Sequence, residues 1–245
     1  MMAALKTIPF LRVLKHAPFL LPLIRALYGK KAAQLSCTWM GLQFDSPLGV
    51  AAGVDRRGEY TDVIAQYSPA FVEIGPIRDV RYAIDNLQKR KENIVVLANL
   101  SNNKEIERSF SLLYDFVDAI VLNISQNTSV SKIIDHLVEL RRYNDTYKPI
   151  IFKLFPDLDG EQLDSVTTYM LGSGIDGVMI NAEFVDMIRE KTQGLIPVIA
   201  IAEISTPERA AQILDTGADL IALSNSPFHY GPAYFKKILK YLEKR

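Results

Sequence analysis

The chain has little that could hold it together other than a core. Its 245 residues include one cysteine, Cys37, so no intramolecular disulfide or cysteine metal cluster can form, which fits a reducing compartment. The histidines, His16, His136 and His229, are scattered, and none ends an apolar run beside an acid at ligand spacing. No metal site is expected. Net charge is zero, from 28 basic and 28 acidic side chains, which argues against nucleic acid as the partner. No apolar run approaches the ~20 residues of a spanning helix. Acidic residues are missing altogether before Asp45. Residues 1–44 therefore carry +6, through Lys6, Arg12, Lys15, Arg25, Lys30 and Lys31, and the remainder carries −6.

What is present begins with that basic segment, which is also apolar: Ile8, Phe10, Leu11, Val13 and Leu14, then Phe19, Leu20, Leu21, Leu23, Ile24, Leu27 and Tyr28. Pro18 and Pro22 divide it into two short helical stretches. Apolar cationic helices have the composition of an interfacial anchor drawn to anionic lipid. The alternative is a pair of terminal helices packed on the domain. A cleaved signal peptide is disfavoured, because Lys15, His16 and Arg25 interrupt the apolar region. The location expected is cytoplasmic, with peripheral contact of residues 1–31 at the inner face of the cell membrane.

From residue 46 onwards short apolar runs alternate with amphipathic stretches. The runs are Leu48–Gly53, Ala70–Gly75, Ile94–Leu100, Ala119–Ser125, Ile150–Pro156, Gly177–Asn181, Ile196–Ala202 and Leu220–Asn225. They are rich in Val, Ile and Leu, as strands of a covered parallel sheet should be. Helical patterns such as Ser129–Arg142, Gly160–Leu171, Thr206–Thr216 and Ala233–Lys244 separate them, with Pro207 a start signal and Gly217 a stop. The fold class expected is α/β, a single (β/α)₈ barrel, with a doubly wound sheet as the alternative. Leu35–Phe44, alternating around Trp39, is expected to form a hairpin plugging the barrel bottom. Residues 1–34 read as a helical extension and 35–245 as the barrel.

Barrel active sites lie at the C-terminal strand ends. Those ends read Gly53, Asp55-Arg56, Gly75, Asn99, Asn123 to Ser125, Lys153, Asn181, Glu203, and Ser224, Asn225 and Ser226. Asparagine is poor in strands, and buried amides need partners. Four amides converging with a lysine suggest a site for a small, planar, anionic ligand. The alternative, that an Asn caps the following helix, is preferred for Asn103 and Asn225. Lys153 follows an apolar strand and needs an anionic partner, either Asp157 or a ligand.

These residues carry a resemblance. The stretch SPLGVAAGVDRRGE over Ser46–Glu59 resembles the first strand and loop of the quinone-dependent, membrane-associated dihydroorotate dehydrogenases. Further matches follow in order: Phe71–Gly75 resembles that family's F-x-E-x-G, Asn99–Lys104 its N-I-G-K-N-K, and Asn123–Thr128 its N-x-S-S-P-N-T. Lys153–Leu158 resembles its K-I-A-P-D-L, and Tyr230–Pro232 its Y-E-G-P. The resemblance implies a barrel that binds FMN, removes a proton from dihydroorotate, transfers hydride to the flavin and passes electrons to quinone. It implies Gly53, Arg56, Asn99, Asn123, Lys153, Ser224, Asn225 and Ser226 around the flavin. Arg56, Asn123, Asn127 and Asn181 would face the substrate.

Departures fall on the chemistry. Two segments of the family are missing here, between Gly75 and Ile94 and between Asn181 and Ile196; the first holds the pyrimidine. Glycines that surround the flavin phosphate in the family read Ala202-Glu203 and Ser224 to Ser226. Anchored on Asn127, the family's general base is Ser125; anchored on Asn123 it is Gln126, which cannot act as a base. Two functions are therefore carried: a silent relative acting as a binding or partner protein, with FMN weak or absent, and an active flavoenzyme.

Overall fold

The computed structural model describes residues 2–30, 32–100, 105–125, 130–155, 158–224 and 230–245, with side chains from residue 9 onward except 130–132. Two helices open the chain, α1 (Met2–His16) and α2 (Leu21–Tyr28). An antiparallel hairpin follows, β1 (Cys37–Trp39) with β2 (Leu42–Phe44). Strands and helices then alternate: β3 (Leu48–Asp55), α3 (Thr61–Ala65), β4 (Phe71–Ile77), α4 (Val80–Gln88), β5 (Val95–Leu100), α5 (Ile106–Leu113), β6 (Ala119–Ile124) and α6 (Val130–Arg142). The second half continues with β7 (Ile150–Leu154), α7 (Gly160–Ser173), β8 (Gly177–Asn181), α8 (Val185–Lys191), β9 (Val198–Ala202), α9 (Pro207–Asp215), β10 (Leu220–Leu223) and α10 (Tyr234–Leu242).

The strands form a closed parallel barrel in the order β10-β3-β4-β5-β6-β7-β8-β9. Closure is direct: Ile221 pairs with Leu48, Ala222 with Gly49 and Leu223 with Val50. This is a (β/α)₈ barrel, and the doubly wound alternative is excluded. Local signals explain the helix ends. Asp159 and Gln162 make a reciprocal capping box at the start of α7, and Gly174 ends it at φ +77°. Thr206 and Pro207 start α9, and Gly217 follows it at φ +96°.

Strand ends differ by one or two residues from the apolar runs. β3 runs on to Asp55 and β4 to Ile77, because a register shift in each keeps its last residue paired, Asp55 with Ile74 and Ile77 with Leu100. β6 stops at Ile124 and β10 at Leu223, before the polar residues of the loops.

Inside the barrel, Ala51, Phe71, Leu97, Val121, Ile151, Met179, Ile199 and Ala222 form one apolar layer. The hairpin plugs its lower end as expected, packing Trp39, Met40, Leu42 and buried Phe44 against it. Phe44 meets Phe71 edge to face, with ring centroids 6.0 Å apart. Outside, the helices cover the other strand faces in a second, larger cluster.

A repeated clip ties the strand starts at the bottom. Asp118, Asp176 and Asp219 each sit just before a strand. Their carboxylates accept the N–H of Val96, Ile150 and Val198 at 2.7, 2.8 and 2.7 Å. Each aspartate returns its own N–H to the same residue's carbonyl. Arg141 pairs with Asp176 and Arg189 with Asp219, both at 2.5 Å. Burial nonetheless pushes the Asp219 carboxyl up from its ordinary range.

The basic extension is fastened to the barrel rather than free of it. Leu11 and Leu14 of α1 are buried. Lys15 pairs with Glu59 at 3.7 Å, Lys30 with Glu243 at 2.7 Å, and Arg25 with Glu92. Three of its six cations are thereby matched by barrel acids. α2 buries no residue. Its Leu23 and Leu27, with Phe19 just before it, form an i, i+4, i+8 stripe 56, 51 and 79% exposed.

Candidate functional site

Strand alternation decides what lies above the apolar layer. Two residues on from Ala51, Phe71, Leu97, Val121, Ile151, Met179, Ile199 and Ala222 come Gly53, Glu73, Asn99, Asn123, Lys153, Asn181, Ile201 and Ser224. This second layer faces the C-terminal mouth. Six of its eight members were singled out from strand ends; Ile201 and Glu73 were not, and Glu73, quoted only inside the F-x-E-x-G match, is the centre of the site.

Glu73 on β4 is fully buried. Lys153 on β7 places its Nζ 2.8 Å from both carboxylate oxygens. The Asn99 amide donates to Oε1 at 2.6 Å, and the Ala52 N–H donates to Oε2 at 2.7 Å. Among the described residues the anion that Lys153 requires is Glu73. Asp157 lies outside the described residues. Asn99 and Asn123 exchange amide hydrogen bonds, 3.1 Å one way and 2.9 Å the other. They cap no helix. The four side chains form one neutral network, with Glu73 at its floor and Lys153 and Asn123 partly reaching the mouth.

Two glycines make room for this network. Gly75 has φ +126°, and a Cβ there would meet the Asn99 carbonyl at 2.7 Å, so β4 and β5 come together only with glycine at this point. Gly53 has φ +105° beside open space at the mouth.

Asp55 serves the loop, not the mouth. Fully buried, it accepts the N–H groups of Arg57, Glu59 and Tyr60 at 3.3, 2.9 and 2.9 Å and the Thr61 hydroxyl at 3.0 Å. Burial still pushes its carboxyl up, against those hydrogen bonds. Arg56 is carried on the same loop, exposed. Ser125 follows β6 directly and is half-buried; Asn181 ends β8, and Ser224 continues β10, its N–H bonded to the Ala202 carbonyl at 2.8 Å. Asn127, Asn225 and Ser226, with Gln126 and Asn103, lie outside the described residues.

On the β9–β10 side of the mouth, exposed Glu203 accepts a hydrogen bond from the Tyr230 hydroxyl at 3.1 Å. The Tyr230 and Tyr234 rings pack with centroids 4.9 Å apart. A separate cleft of ≈ 630 Å³ opens at the opposite, N-terminal end, lined among others by Arg25, Lys30, Asp45 and Glu92. Its Arg25 and Lys30 are matched by acids of the chain itself. Among the described residues no cluster of three or more His, Cys, Asp or Glu could hold a metal, and no helix is long and apolar enough to cross a membrane.

No protein-family model matches the chain. It is similar to a dihydroorotate dehydrogenase (quinone) of Coxiella burnetii, 24% identical over 288 positions covering 82% of each chain. A dihydroorotate dehydrogenase (quinone) of Roseiflexus sp. is 25% identical over 315 positions, covering 96% of this chain and 87% of the relative. Both alignments run over more positions than the 245 residues present here, so the relatives carry segments this chain lacks. Among solved structures, DHODH from Eimeria tenella in complex with ferulenol superposes with a TM-score of 0.72 at 19% identity, covering 87% of this chain and 84% of that one.

Proposed function

We propose that this chain, a shortened and divergent member of the quinone-dependent dihydroorotate dehydrogenase family, is a barrel with eroded FMN-phosphate and substrate sites. It is weak or silent as an enzyme and acts by binding a ligand or partner. The observation that carries the reading is Glu203. Barrels commonly hold a ligand's phosphate in the loops after their seventh and eighth strands, here β9 and β10, and there this chain presents a carboxylate tied to Tyr230.

The two halves of FMN fare differently. The ring half fits: Lys153 and Asn123 offer N–H donors at the mouth, and Gly53 leaves open space beside them. The phosphate half does not fit. Ala202 and Glu203 stand where close backbone approach and positive potential are needed. Arg56, Asn127 and Asn181 are the residues proposed to face a substrate, and Ser125 the one placed to act as a base.

The second reading, an active FMN-dependent dihydroorotate dehydrogenase with quinone as acceptor, is favoured by the intact donors Asn99, Asn123 and Lys153. Flavin fluorescence quenching by the purified protein separates the two. Micromolar or weaker binding of FMN is expected. Submicromolar affinity would overturn the silent reading and place the activity on Ser125.

The apolar stripe Phe19, Leu23 and Leu27 is proposed as a peripheral membrane contact, helped by the six cations of residues 1–31. Sedimentation with anionic vesicles tests it. Replacing all three with serine should abolish binding that salt weakens; equal partitioning of both proteins would leave only the packed-helix reading.

A further inference from the structure

Acidic residues are distributed unevenly over the helices. Each of α3 to α9 carries at least one Asp or Glu, as a solvated helix face ordinarily does. α1, α2 and α10 carry none. The last helix therefore shares the composition of the first two, although more than two hundred residues separate α2 from α10.

α10 is two-faced. Tyr234, Phe235, Ile238, Leu239 and Leu242 are buried. Lys237, Lys240, Tyr241 and Lys244 are exposed, and at i, i+3, i+4 and i+7 they share one face. No carboxylate pairs with these three lysines among the described residues. The acids and cations at the end of the helix are already spent on other partners, Glu243 on Lys30 and Arg245 on Asp215.

The acid-free helices also meet. Lys236 Nζ donates to the Leu27 carbonyl at 2.8 Å, and Lys30 reaches Glu243 at 2.7 Å. The chain leaving α2 is thereby laid along α10, from its first turn to just past its last. Leu27, the final member of the exposed stripe with Phe19 and Leu23, is bonded to the residue directly before Lys237. An apolar stripe thus ends beside a row of unpaired cations. A soluble polyanion would engage the cations and leave the stripe in water. A bilayer with anionic headgroups takes both, and Tyr241 suits the boundary between its two zones.

We propose that α10 is the electrostatic half of the membrane contact, its Lys237, Lys240 and Lys244 seating anionic phospholipid headgroups beside the α2 stripe. The inference deepens the membrane reading and rests on it.

The test is sedimentation of the full chain with vesicles of phosphatidylcholine, with and without phosphatidylserine. Lys237→Gln, Lys240→Gln and Lys244→Gln together should weaken partitioning onto the mixed vesicles by roughly tenfold or more at low salt, and raised salt should shrink that difference. The variant Arg81→Gln with Arg108→Gln and Arg142→Gln removes the same charge from α4, α5 and α6, and should bind like the parent. Unchanged binding of the lysine variant overturns the inference while the serine variant of the stripe still tests the membrane reading by itself. An equal loss in the arginine variant overturns it too, since net charge would then be enough. Retention on heparin that the lysine variant loses, with its vesicle binding intact, assigns the face to a soluble polyanion. A parent that binds neither vesicle overturns both the inference and the membrane reading.

Discussion

Two adjacent layers of the same barrel, one pleat apart on the same strands, obey opposite rules. The lower one, from Ala51 to Ala222, is apolar and closed from below by Phe44 and its hairpin. The upper one holds Glu73, Asn99, Asn123 and Lys153, every one of them polar and hydrogen-bonded to another. The lower layer is stable because of area removed from water. In the upper layer the gain from pairing is largely offset by desolvation, so its members hold each other in place without adding much net stability. A layer that adds little stability yet keeps a buried ion pair is where a ligand-binding role is to be sought.

The sharpest way to break the comparison is to remove one member of the upper network. Lys153→Met leaves Glu73 buried and uncompensated, and should cost about 3–5 kcal/mol in urea unfolding. Adding Glu73→Leu removes the uncompensated charge and should recover part of that loss, the remainder being the Ala52 N–H and Asn99 amide left without their acceptor. If the double variant stays as unstable as the single one, the pair is a net source of stability and the contrast between layers fails. In the lower layer, Phe44→Ala should cost about 3 kcal/mol by opening a cavity against Phe71, and no second substitution of polar type should rescue it. Thermal unfolding followed by Trp39 fluorescence reads this from within the hairpin.

Clips and ion pairs at the periphery rank below these. Arg189→Ala removes the cation beside Asp219, whose carboxylate also serves the Val198 N–H, and should cost about 2 kcal/mol. Arg25→Ala breaks an exposed pair and should cost less than about 1 kcal/mol at neutral pH. Its effect should fade in acid. Burial raises the carboxyls of Glu59 and Glu92, but hydrogen bonds and nearby cations outweigh it and leave both below their ordinary range. Their contribution is therefore complete above the unfolded value of about 4.3 and lost as pH falls through the lower folded values. Asp219 runs the other way: with its folded value raised, its contribution is present at low pH and lost as pH rises through that value. Unfolding of Arg25→Ala and the parent at neutral pH and below 4 checks the Glu92 sign; a constant difference across that range would contradict the assignment.

The barrel itself was legible, because eight apolar runs with punctuating Pro207 and Gly217 leave few other ways to bury both strand faces. The site was legible only at its rim. Asn99, Asn123 and Lys153 stood out as polar residues ending apolar strands. Glu73 carried the same signal, a lone acid inside Ala70–Gly75 two positions past Phe71, but the end of that run was read at Gly75 alone. That it pairs with Lys153, eighty positions away, depends on the curvature that brings β4 opposite β7, which local pattern does not contain. Asp118, Asp176 and Asp219 escaped notice for a similar reason: an acid before a strand looks like an ordinary turn residue until its partner across the ladder is known.

Those three aspartates follow a two-strand beat. Each joins a couple, β5 with β6, β7 with β8 and β9 with β10, across a gap of 22, 26 or 21 residues. Short gaps close early and long ones late, so each couple can lock at its base before the ring exists. β3 and β4 have no such lock; their shared end is bounded by backbone bonds from Ala70 and Ile221 to Leu48 and Pro47. The one long gap is between β10 and β3, whose paired residues Ile221 and Leu48 lie 173 positions apart, so the ring shuts last at the strand that α1 lies against.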